Sequence, residues 1–130
     1  MYHTKITGDR LYHTSSQGYG QPVELFGQTT DGETPVSLLN IALAACLTMC
    51  AQSYFKTQHQ LETLDMELTS DLDYERKHFT LTLTLTLPSQ HQLTLAQEAD
   101  LRAHMITHCR VKTFFSEQVQ IEIDVKYVGG

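Results

Sequence analysis

One stretch limits what this chain can fold into: Thr34 to about Lys56, TPVSLLNIALAACLTMCAQSYFK. Thr34 is a natural N-cap, and Pro35 suits the first helical position, where its missing N–H costs nothing. From Pro35 to Ala51 the only polar side chains are Ser37, Asn40, Thr48 and the thiols. A surface helix carries a polar stripe; a helix almost without one needs protein on most of its sides. Cys46 and Cys50 lie four residues apart, on one face of that helix. A sulfur set mid-helix among alanines is the first place to look for chemistry.

The rest of the chain reads as short strands and one further helix. Tyr2–Thr7 and Leu11–Thr14 are expected to pair around Gly8-Asp9, with Val23–Phe26 as a third strand. His3 and His13 are expected to be exposed. Leu64, Met66, Leu68 and Leu72 alternate with acidic residues and a threonine. Phe79, Leu81, Leu83, Leu85 and Leu87 alternate with four threonines. That pattern is an antiparallel hairpin with one covered face, turning at Tyr74–Lys77. Thr94 and Gln97 form a capping box for a helix running to about His108. One line of that helix carries Leu95, Ala99, Arg102, Ile106 and Cys109; a second carries Leu101, Met105 and His108. A last strand, Val119–Tyr127, alternates again before the tail at Gly129-Gly130.

Strands and helices are grouped, so the class is α+β. No repeat or composition shift marks a boundary, and a single domain over residues 1–130 is expected. One small sheet and one more helix cannot cover an all-round apolar helix, so a second copy of the chain is expected, giving a homodimer.

Charge narrows the partners. Nine basic residues stand against fifteen acidic, a formal charge of −6. Nucleic acid or an anionic membrane surface would want a basic patch, so neither is expected. Asn40 and Thr48 interrupt the apolar run, which reads as too short to span a bilayer. MYHTKITGDR holds no apolar signal segment, and a cytoplasmic location is expected. Three cysteines in a reducing compartment point to redox, nucleophilic or incidental thiols rather than a disulfide framework.

Cys46 and Cys109 both sit in helical context and could meet beneath one sheet. Such a pair can cycle: one thiol attacks an oxidant and becomes a sulfenic acid, and the other resolves it to a disulfide. The attacker must be a thiolate. Cys46 is too far along its helix for the macrodipole to help, so a nearby cation is expected, from Arg10, Arg102 or Arg110. On spacing alone, two buried structural cysteines outweigh a redox pair. A metal reading, joining Cys46 and Cys50 to His104, His108 or Cys109, is weaker still, because the thiols lie inside an apolar helix. No phosphate loop, GxSxG elbow or HExxH is present.

Gly32-Glu33-Thr34-Pro35-Val36-Ser37-Leu38-Leu39, followed by Ala44-Ala45-Cys46, resembles the G-x-N-P-E-x-L…A-A-C signature of the OsmC/Ohr family. His108-Cys109-Arg110-Val111-Lys112 stands where that family has a C-P-V-S-like element before its last strand. Gly8-Asp9-Arg10 is similar to the G-G-R element of the Ohr branch. The resemblance implies the OsmC-like fold, antiparallel sheets around a long central helix, in an intertwined homodimer with sites at the interface. It implies thiol peroxidase activity on organic hydroperoxides, with Cys46 peroxidatic, Cys109 resolving and Arg10 polarising the thiolate. No cofactor or metal is implied; electrons would come from an external dithiol. Leu43, Leu47, Met49 and Phe114 are the expected apolar lining. The chain departs from the pattern at Val36, where the family has glutamate, and at Arg110 and Lys112, where it has Pro and Ser. Those departures keep a second reading open: a non-catalytic relative binding a small apolar or anionic ligand at the dimer interface.

Overall fold

The computed structural model describes residues 1–128; Gly129 and Gly130 of the expected tail lie outside the described residues. Its elements are β1 (Lys5–Arg10), β2 (His13–Gln17), β3 (Val23–Phe26), α1 (Pro35–His59), β4 (Met66–Asp73), β5 (His78–Leu85), α2 (Leu95–His108) and β6 (Gln120–Tyr127). Short 3₁₀ turns at Ser89–His91 and Lys112–Phe114 flank α2. The class is α+β, with two helices and two three-stranded sheets. The chain divides into two compact units, Met1–Leu39 and Asn40–Gly130.

The first unit is an antiparallel meander in the order β1-β2-β3. Its first turn is Leu11-Tyr12, with Arg10 opposite His13. Gly8-Asp9, expected to be the turn, lies inside β1 at an irregularity in the pairing. Tyr12 takes the positive φ that a tight hairpin needs, at 58°. The unit ends in the cap of α1. The Ser37 N–H donates to Thr34 Oγ1 at 3.1 Å, and the Thr34 N–H donates to Ser37 Oγ at 2.7 Å. Serine thus fills the returning half of a capping box, and its own hydroxyl donates to Glu33 at 2.8 Å.

In the second unit β5 is central, between β4 and β6. β4 is antiparallel to it, but β6 is parallel, which corrects the expectation of purely antiparallel sheets. The cause is the connection: α2 lies between β5 and β6, and such a crossover returns the chain in the same direction. Register aligns the apolar face in rows: Leu72, Phe79, Ile121; then Ser70, Leu81, Ile123; then Leu68, Leu83, Val125; then Met66, Leu85, Tyr127.

The helices cover that face. Leu43, Leu47, Ala51 and Phe55, four apart along α1, are fully buried, as are Leu101 and Met105 of α2. Asn40 fixes α1 to β4. Its amide donates to the Ser70 carbonyl at 3.0 Å, and the Ser70 hydroxyl donates back to Asn40 Oδ1 at 2.6 Å. The Tyr127 hydroxyl ties β6 to the start of α2 by donating to Glu98 at 2.6 Å. The Thr94–Gln97 capping box is present as read from the sequence.

By length and composition α1 could cross a bilayer, against the expectation that Asn40 and Thr48 exclude it. Here it is a core helix, with Asn40 bonded to β4 and the Thr48 hydroxyl donating to the Ala44 carbonyl at 2.8 Å. Within one chain it is not wrapped on all sides: Val36, Leu39, Ile41 and Met49 are exposed.

Leu83 has no exposed surface and sits mid-strand in the centre of the sheet. Leu83→Ala is expected to lower unfolding free energy by about 2–5 kcal/mol, read as a drop in the urea midpoint at unchanged slope.

Candidate functional site

Both helices of the second unit deliver cysteine to one place. Leu101, Met105 and Cys109 follow at four-residue spacing, and none has exposed surface. The expected line through Leu95 and Ala99 is not the buried one; Leu95 is exposed. Cys109 is the C-cap of α2, with φ −74° and ψ 111°, so the helix breaks at the sulfur. On α1, Cys50 is buried and Cys46, one turn earlier, is half-buried; both pack on the core. All three cysteines are free thiols.

Four groups bear downward on the Cys46 thiol's pKa: the backbone N–H of Val111, the Cys109 thiol, the backbone N–H of Arg110 and the Cys50 thiol. Burial by itself would push the Cys46 thiol up, but these four donors outweigh it and hold the thiol below its ordinary value. Cys109 moves the other way. Burial pushes it up to about 11, although the Lys112 N–H donates to its sulfur at 3.4 Å. Cys50 is raised too, by burial and then by the neighbouring Cys46. At neutral pH Cys50 and Cys109 keep their protons. No side-chain cation is among the groups that lower the Cys46 thiol.

Arg10 lies on β1 in the first unit, exposed, with its guanidinium 2.9 Å from Asp9. Of the expected lining, Leu43 and Leu47 are sealed in the core and are no pocket wall. Met49 and Phe114 are exposed. His104 and His108 stack with ring centroids 4.2 Å apart, and His108 Nδ1 lies 3.0 Å from the His104 carbonyl oxygen. Among the described residues, no group of three or more His, Cys, Asp and Glu side chains could hold a metal ion.

His13 corrects another expectation. It is 7% exposed, not open to solvent, and lies between two carboxylates: Nδ1 is 2.5 Å from Asp9 and Nε2 is 3.1 Å from Glu24. Its ring also tilts against Phe26, centroids 5.0 Å apart. The Asp9 hydrogen bond, chiefly, raises its pKa, and the same bond lowers that of Asp9. The grouping depends on the Leu11-Tyr12 turn, which has no clear sequence signal. With Arg10, Leu11, Tyr12, Phe26, Gly27, Gln28 and Asp31, His13 lines an open polar cavity of about 450 Å³ in the first unit.

The family model described as OsmC-like protein matches residues 27–124. The chain belongs to the OsmC-like family. Solved structures share the fold of this OsmC-like chain. The OsmC like protein from Mycoplasma pneumoniae has a TM-score of 0.75 at 14% identity, over 98% of this chain and 97% of that one. The organic hydroperoxide resistance protein OsmC from Legionella pneumophila has a TM-score of 0.63 at 17% identity, over 97% and 96%. The organic hydroperoxide resistance protein OhrB of Bacillus subtilis has a TM-score of 0.61 at 17% identity, over 97% and 98%. At these identities the likeness is one of fold. No curated protein matches the sequence of this OsmC-like chain.

The carboxylate–histidine cluster makes a pH prediction. A raised His13 stabilises fully below its unfolded value, near 6.5, and that contribution is lost as pH rises through the folded value. A lowered Asp9 contributes above its unfolded value, near 3.8, and loses that on acidification through its folded value. The stability difference between the protein and its His13→Gln variant is therefore expected to be largest between those two values. It should shrink toward alkaline pH in thermal melts across that range.

Proposed function

We propose that this chain is a thiol-dependent peroxidase acting on organic hydroperoxides through Cys46 and Cys109. The observation that carries the reading is the split between the two thiols: Cys46 is lowered, in part by Cys109, while the fully buried Cys109 is pushed up to about 11. Family membership, and relatives named for organic hydroperoxide resistance, support the substrate class.

The chemistry balances on these residues. The Cys46 thiolate attacks the distal peroxide oxygen, the O–O bond breaks, and Cys46 becomes a sulfenic acid while the alkoxide takes a proton and leaves as the alcohol. The Cys109 sulfur then attacks the Cys46 sulfur. An S–S bond forms, hydroxide leaves, and the Cys109 proton completes a water molecule. An external dithiol reduces the disulfide, returning both thiols and leaving as its own disulfide. Passing the Cys109 proton to the departing oxygen leaves the Cys109 sulfur as the attacking thiolate. Cys50 lies one turn from Cys46 on the same helix, a poor position for an unstrained disulfide.

We infer that the working form is a homodimer. Ile41 and Met49 on α1, at 45% and 65% exposure, and Phe114 at 89%, are the apolar surface a second copy would cover. Three unpaired thiols suit the reducing cytoplasm.

Cumene hydroperoxide added to reduced protein is expected to form a Cys46–Cys109 disulfide rapidly, mapped by peptide mass spectrometry. Cys46→Ser should abolish peroxide consumption, and Cys109→Ser should leave a Cys46 sulfenic acid that dimedone traps. Slow, unselective oxidation of all three thiols would contradict the reading and favour the non-catalytic, ligand-binding one.

A further inference from the structure

The first unit has no apolar core within one chain. Every residue of β1 is exposed, no residue of β3 is buried, and among the described residues of Met1–Leu39 only His13 is buried. A three-stranded sheet without a buried apolar face is marginal on its ladder hydrogen bonds alone. At its centre stands an imidazole clipped on both sides. His13, on the middle strand β2, has Nδ1 2.5 Å from Asp9 Oδ1 on β1 and Nε2 3.1 Å from Glu24 Oε1 on β3. Only the doubly protonated ring can donate to both carboxylates at once. The other charged or titratable neighbours are Arg10, which donates to the second Asp9 oxygen at 2.9 Å, and Tyr12 and Asp31, which line the same cavity as His13. The Asp9 hydrogen bond first, and then that of Glu24, raise the His13 pKa against burial and the Arg10 charge.

The two bonds are not equivalent. The shorter goes to Asp9, which Arg10 also helps to keep ionised, whereas the Glu24 side chain is open to water at 62% exposure. A neutral imidazole keeps one N–H. Held at the shorter bond, that proton leaves a bare Nε2 lone pair facing Glu24, acceptor against acceptor. We propose that His13 is a proton-operated clip on the first unit: losing its proton releases β3 while β1 stays paired with β2. Phe26 of β3 tilts against the His13 ring and, with Gly27 and Gln28, walls the cavity of about 450 Å³, so release of β3 dismantles that cavity. The opening is local, confined to one strand, rather than a loss of the whole fold. The clip lies wholly within the first unit and does not involve the thiols.

Amide hydrogen exchange, read by NMR on the full chain, tests the clip. Each rate is compared with that of an unstructured peptide at the same pH, so that base catalysis cancels. As pH rises above about 6.5, protection of Val23–Phe26 is expected to fall about tenfold, the loss of one charge-assisted hydrogen bond. Lys5–Arg10 and the central strand His78–Leu85 should hold theirs. Glu24→Gln should abolish the fall, because an amide can donate to a bare nitrogen or accept from a protonated one. The His13 ring, followed by its nitrogen NMR shifts, should lose the proton from Nε2 and keep it on Nδ1, a readout that stands even if Glu24→Gln weakens the sheet. Constant protection of β3, an equal fall in Lys5–Arg10 or His78–Leu85, a fall retained in Glu24→Gln, or a proton kept on Nε2 would each overturn the proposal.

Discussion

A sulfur anion half-removed from water is unstable unless something replaces the lost hydration. In this chain the groups that lower Cys46 against its burial are neutral: the Arg110 and Val111 amides with the Cys109 and Cys50 thiols. Charge does not have to be buried beside charge. Fixed dipoles carry no counter-charge to desolvate, and a close donor set is less exposed to salt screening than an ion pair at the surface. The two main thiols are also pushed apart. Cys46 gains donors and falls, whereas Cys109 is sealed in the core and rises to about 11. Unequal environments for two like groups give them separate tasks.

That arrangement hangs on the packing of the second unit. The buried line Leu43, Leu47, Ala51 and Phe55 fixes which way α1 turns, and so where Cys46 and Cys50 point. The line Leu101, Met105 and Cys109 does the same for α2. Both lines press on one sheet face, whose rows are set by β5 pairing with both neighbours. Asn40 and Ser70 exchange two hydrogen bonds where a plain apolar contact would let α1 slide along β4. A rotation of either helix by one residue would re-aim its cysteines, so the site is as specific as the core is.

Much of this was legible because it is local. Thr34-Pro35 and Thr94–Gln97 mark helix starts by side-chain chemistry that acts over three residues. The leucine–threonine alternation of β5 marks a one-faced strand by period alone. The resemblance around Cys46 and Cys109 located the thiols, and the family match agrees with it. What was not legible depends on distant partners or on the backbone. Parallel pairing of β6 depends on the crossover through α2. The buried His13 depends on a turn three residues later than Gly8-Asp9 suggests. The amides at 110 and 111 have no letter in a sequence; Arg110 drew attention by its charge, whereas it is its backbone N–H that helps lower the Cys46 thiol. The all-round apolar character of α1 was plain, but within one chain only part of it is covered.

The central claim is that of these thiols Cys46 ionises first, while Cys109 keeps its proton. Thiolate absorbance in the far ultraviolet, titrated on the reduced protein and on single Cys→Ser variants, tests it most directly. The account predicts a first step below the ordinary thiol value, near 9.0, that vanishes only in Cys46→Ser, and a last step near 11 that vanishes in Cys109→Ser. A first step that survives Cys46→Ser, or that vanishes with Cys109, would contradict it.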